Sequence, residues 1–105
     1  MDDNVFRAIF EKVKKALRWK HSSLDDEIKD NIRAAQDELI RVGVPEADAT
    51  SNKPLIVRAV KTYCKAFSAD SESDREGLMA AFYLQADNLR KSTKLSREEP
   101  SDGVQ

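Results

Sequence analysis

Apolar residues return at spacings of three and four along four stretches of this chain, and each stretch predicts an amphipathic helix. The first runs from Asp3 to Leu17 or Trp19, with Val5, Phe6, Ile9, Phe10, Val13, Ala16 and Leu17 on one face. The second follows the N-cap candidates Ser22 and Ser23 and carries Leu24, Ile28, Ile32, Ala35, Leu39 and Val42. Gly43 predicts its end, since glycine accepts the left-handed turn past a helix; Val44 can fold back on Leu39, and Pro45 blocks continuation. Pro45 to Lys53 shows no stripe and predicts a loop.

The third stretch, PLIVRAVKTYCKAF, starts at Pro54 behind the cap candidates Thr50, Ser51 and Asn52. Its stripe is Leu55, Ile56, Ala59, Val60, Tyr63 and Phe67. After the polar break SADSESDRE comes a fourth helix, with Ser73 and Glu76 at capping-box spacing and Leu78, Phe82, Ala86 and Leu89 as its main stripe. Residues 54–94 therefore predict a helical hairpin. The expected class is all-α, a small bundle of about four helices. Its core is drawn from Phe6, Phe10, Ile28, Ile32, Leu55, Val60, Tyr63, Phe67, Phe82 and Leu89. Residues 1–94 read as one domain. The polar end, 95–105, reads as a disordered, flexible tail.

Composition sharpens this picture. At 105 residues the chain is one domain's worth. Charged residues make up 35 % of it and glycine and proline only three each, which favours helices over strands. The formal charge of −1 lacks the basic excess of a protein that coats nucleic acid. A lone cysteine, Cys64, cannot form an internal disulfide and fits a reducing compartment. No apolar run approaches the roughly 20 residues that span a bilayer. Asp2 and Asp3 do not suit the basic start of a secretory signal. The expectation is a soluble cytosolic protein without membrane contact.

Candidate chemistry is sparse. Lys12, Lys14, Lys15, Arg18 and Lys20, followed by His21, form a basic run at the end of the first helix. It reads either as a patch facing DNA or an acidic partner, or as a solvated face that complements the helix dipole. Arg90, Lys91 and Lys94 form a weaker second cluster open to the same two readings. Trp19 is either an interface anchor or a cap on the core. His21 is the only histidine, too few for a zinc site of the usual type, and reads as a turn residue. Cys64 lies beside a buried stripe with no histidine near it in sequence, so it reads as a small core residue and not a nucleophile. Asp70, Glu72 and Asp74 alternate as calcium ligands do, but no turn glycine follows inside the run. No catalytic, metal-binding or cofactor-binding constellation emerges, and the chain reads as not an enzyme.

Two strings carry a family resemblance. Asp25, Ile28, Ile32, Ala34 and Ala35 match a D-x-x-I-x-x-x-I-x-A-A helix. Pro54, Leu55, Ile56, Ala59, Val60, Tyr63, Lys65 and Ala66 match P-L-I-x-x-A-V/I-x-x-Y-x-K-A. With the element order, these make residues 5–91 resemble the small head-tail connector proteins of tailed bacteriophages, also called DNA-packaging or head-completion proteins. The end of the third helix and the 45–53 loop depart from the family pattern. The resemblance implies a homo-oligomeric ring beneath the portal protein. Such a ring extends the DNA channel and joins capsid to tail or stopper proteins, in the virion and, during assembly, in the host cytoplasm. The competing reading is a small helical nucleic-acid-binding regulator, for which Arg58, Lys61 and Lys65 would line the recognition helix.

Overall fold

A computed structural model describes residues 3–17 and 24–102, with side chains as far as residue 92. Helices run in the order α1 (Asp3–Leu17), α2 (Asp25–Arg41), α3 (Glu46–Ala49), α4 (Pro54–Phe67) and α5 (Glu72–Asp102). The all-α class and the helical hairpin, α4 with α5, are as the periodicity predicts. The side chains of the expected tail lie outside the described residues.

α4 is the central helix and packs against α1, α2 and α5. Ile9, Phe10, Val13, Ile28, Ile32, Leu39, Ile56, Val57, Val60, Cys64 and Phe82 form one continuous buried cluster around it. Phe82 is the largest fully buried side chain. Its ring meets Tyr63 edge-on at 5.1 Å and ties the two arms of the hairpin together. Burying a side chain of this size is worth about 2–3 kcal/mol.

The end of α2 closes as its residues predict. Val44 N–H donates to Leu39 O at 2.9 Å and Gly43 N–H to Ile40 O at 3.0 Å, the paired bonds of a Schellman motif. Gly43 sits at φ 115°, and Val44 is buried.

Other local expectations need correcting. The 45–53 loop contains the short α3, which follows the cap residue Pro45 and buries Ala49. Four residues are too few to show a stripe. Lys53 precedes Pro54, is held extended, and is the residue that caps α4, so Thr50, Ser51 and Asn52 do not. Ser51 instead accepts the Lys53 N–H at 3.3 Å. The cap of α5 is Ser71, two residues before the expected Ser73; its Oγ accepts the Asp74 N–H at 3.1 Å. Ser22 and Ser23 lie outside the described residues. Leu24 caps α2 without a side-chain bond, and Asp25, Asp26 and Glu27 supply favourable charge to its first turn.

Leu55 and Phe67 were expected in the core, yet they are 59 % and 51 % exposed. They occupy the first and last turns of α4. Val57 and Cys64 are buried instead. Phe6, Tyr63 and Leu89 pack against the core while half-buried.

The polar hinge is built more tightly than its composition suggests. Arg75 donates from Nε to Ala66 O at 3.3 Å and from Nη2 to Ala69 O at 3.4 Å. Its Nη1 also holds Glu72 at 2.9 Å. A guanidinium thus satisfies carbonyls at and just past the C-terminal end of α4, where positive charge is favoured.

Candidate interaction surfaces

Among the described residues, the lysines of the basic run do not share one face of α1. Lys12 and Lys14 are two positions apart, about 200° around the helix, and flank the buried face on opposite sides. Lys12 and Lys15 are exposed. Lys14 turns toward α2, where its Nζ lies 2.9 Å from Asp25 Oδ1 and 5.7 Å from the Phe10 ring centre. Arg18, Trp19, Lys20 and His21 lie outside the described residues.

Two cations absent from the sequence expectations join Lys14. Lys29 Nζ stands 5.1 Å from the Phe10 ring and Arg33 Cζ 4.6 Å from the Phe6 ring. Together they roof the α1–α2 seam, each cation over the electron-rich face of an aromatic ring. The available signal was their position: each directly follows a core isoleucine of α2, Ile28 or Ile32.

At the far side of α2, Glu38 fastens that helix to α5. Arg41 grips the carboxylate with two bonds of 2.9 and 2.5 Å, and Tyr83 donates its hydroxyl at 2.6 Å. The bonds from Arg41 and then from Tyr83 hold the Glu38 carboxyl down to about 2. The same bond pushes the Tyr83 hydroxyl up. The second basic cluster is also engaged, since Arg90 and Lys91 both pair with Asp87, at 2.6 and 3.0 Å. The Lys94 side chain lies outside the described residues.

The outer face of α4 differs. Arg58, Lys61 and Lys65 follow Leu55 at helical spacing, and none has a carboxylate partner among the described residues. Beside them is a groove of about 240 Å³ lined by Leu55, Arg58, Gln85, Asn88, Leu89 and Ser92. At the hairpin tip, a wide depression of about 540 Å³ is lined by Ser68, Asp70, Ser73, Asp74, Gly77 and Leu78 among others.

Burial pushes the Cys64 thiol up to about 12, where the nucleophilic thiolate is scarce at neutral pH. Among the described residues, no group of three or more histidine, cysteine, aspartate or glutamate side chains is arranged to hold a metal ion. No helix among them is long and apolar enough to cross a membrane.

The family described as phage connector protein matches residues 9–100. The chain belongs to the phage connector protein family. The match takes in all of α2, α3 and α4, most of α1, and α5 to within two residues of its end. It includes both strings that carried the resemblance. Comparisons with curated proteins and with solved structures returned no similar chain. The connector's surfaces therefore have to be read from its own residues.

Proposed function

We propose that this connector is a structural part of a phage particle that forms a closed ring below the portal, extends the DNA channel and joins the head to tail or stopper proteins. The match over residues 9–100 carries this reading. The geometry supports it. The bundle is small, its one cysteine is buried, and its charged and apolar surface groups stand on rigid helices. A ring of identical subunits needs two different, non-overlapping patches on each chain, and the chain has several surfaces to supply them. The work proposed is binding, not catalysis.

The test is negative-stain microscopy with light scattering on the purified chain, alone and with its portal protein. Closed rings, or rings appearing once portal is added, are expected. A chain that stays monomeric and does not bind portal overturns the proposal. The regulator reading predicts a salt-dependent gel shift at modest protein concentration. The charge of −1 weighs against it.

A further inference from the structure

Half of the described lysines and arginines are held in ion pairs. Lys14, Arg33, Arg41, Lys53, Arg75, Arg90 and Lys91 each pair with a carboxylate. The outer face of α4 gathers three cations without a carboxylate partner among the described residues, Arg58, Lys61 and Lys65, and no acidic residue lies between Pro54 and Phe67. The hairpin tip is its converse. Asp70 and Asp74 are exposed, have no ion pair among the described residues, and line the depression there.

Arg58 cannot meet these carboxylates within one chain. Arg58 lies ten residues before Ser68, about 15 Å along the helix axis, beyond the reach of its side chain. Leu55 and Arg58 lie toward the end of α4 away from the tip, and the two patches share no residue. That is the arrangement a heterologous contact requires.

We infer that the α4 face carrying Leu55, Arg58 and Lys61 docks on the Asp70–Asp74 depression of a second copy of this chain. This deepens the ring reading and rests on it. Leu55 is 59 % exposed with Arg58 one turn after it, so the α4 patch presents an apolar knob beside a row of cations. The depression offers matching chemistry: Leu78 as apolar wall, Asp70 and Asp74 as anions, and Gly77 as floor. A Cβ on Gly77 would meet nothing within 4 Å, so that floor is open to an incoming side chain. A DNA backbone would satisfy the cations but leave Leu55 uncovered, whereas a protein surface covers both. Matching acidic groups on the same chain favour a second copy over a foreign protein.

The test is charge exchange. Two variants are made, Arg58→Glu with Lys61→Glu, and Asp70→Lys with Asp74→Lys. All four sites are exposed or half-exposed, and circular dichroism confirms that each variant folds. Self-association is followed by light scattering and sedimentation in low and high salt. The unaltered chain should associate more weakly as salt rises. Either variant alone should need roughly tenfold more protein, or more, to associate, because like charges now meet. An equimolar mixture should recover association, since each altered patch meets its complement on the other variant. Rings that survive both reversals overturn the inference and leave the connector reading standing. A chain that neither self-associates nor binds portal fails that reading itself. A gel shift on duplex DNA lost with Arg58→Glu and Lys61→Glu, without any change in self-association, assigns the face to nucleic acid instead and overturns the inference.

Discussion

Gly43 is under two independent constraints. Its φ of 115° lies where side chains are strained, and a Cβ there would sit 2.5 Å from Arg90 Cδ. Gly43→Ala is therefore expected to cost about 1–2 kcal/mol from the backbone alone. Displacement of Arg90 adds to this and loosens its bond to Asp87. Urea denaturation checks the loss, and adding Arg90→Ala should recover the steric part only. A variant as stable as the parent would show that the helix end can be rebuilt. The turn was legible because glycine followed by valine and proline is a local signal. The approach of Arg90, 47 positions away, was not, because it depends on how α5 crosses α2.

Glu38 gives the residue scale its pH dependence. Its folded-state value, about 2, lies below its ordinary value of 4.5. A depressed carboxylate contributes stability that is present above the ordinary value and is lost as pH falls through the folded one. Unfolding midpoints should therefore drop between pH 4.5 and about 2. Glu38→Gln should be less stable than the parent at pH 7, with the gap closing near pH 2. Parallel curves across that range would mean that Arg41 and Tyr83 do not act on Glu38 in solution. Nothing in the sequence joins Glu38 to Tyr83, since the pairing exists only once α2 and α5 lie side by side.

At the scale of elements, helix identity came from periodicity and helix ends came from competition between neighbours. Stretch 70–76 contains two serines that could cap α5, and Ser71 wins by bonding the Asp74 N–H while Arg75 closes the end of α4 behind it. Ser71→Ala should cost about 1 kcal/mol, the usual value of a lost N-cap, and Ser73→Ala a few tenths at most. Thermal melts of the two variants check this, and the reverse order would restore the Ser73 capping box. The phase of α4 shows the same limit on sequence reading. PLIVRAVKTYCKAF holds more apolar residues than one face accommodates, so periodicity alone cannot say which are buried. Contact with three other helices decides it, drawing in Val57 and Cys64 and leaving Leu55 and Phe67 exposed at the ends. The basic run shows a related limit: successive lysines in sequence point around a helix, and a second helix captured Lys14, while Arg18 and Lys20 lie outside the described residues.

At the scale of the molecule, the family match runs to residue 100, past Ser92, where the described side chains end. The last residues of the chain are polar, a composition suited to contacts with partners. Deletion separates that role from one in the fold. Removing residues 95–105 should leave the unfolding midpoint of the bundle within the roughly 0.5 kcal/mol typical of changes away from the core. The same deletion should abolish or markedly weaken docking to the portal or to the neighbouring ring. Denaturation and a pull-down with purified portal measure these separately. Docking that survives the deletion assigns the portal contact to the helical surfaces instead. A stability loss of about 2 kcal/mol or more would place the segment within the fold.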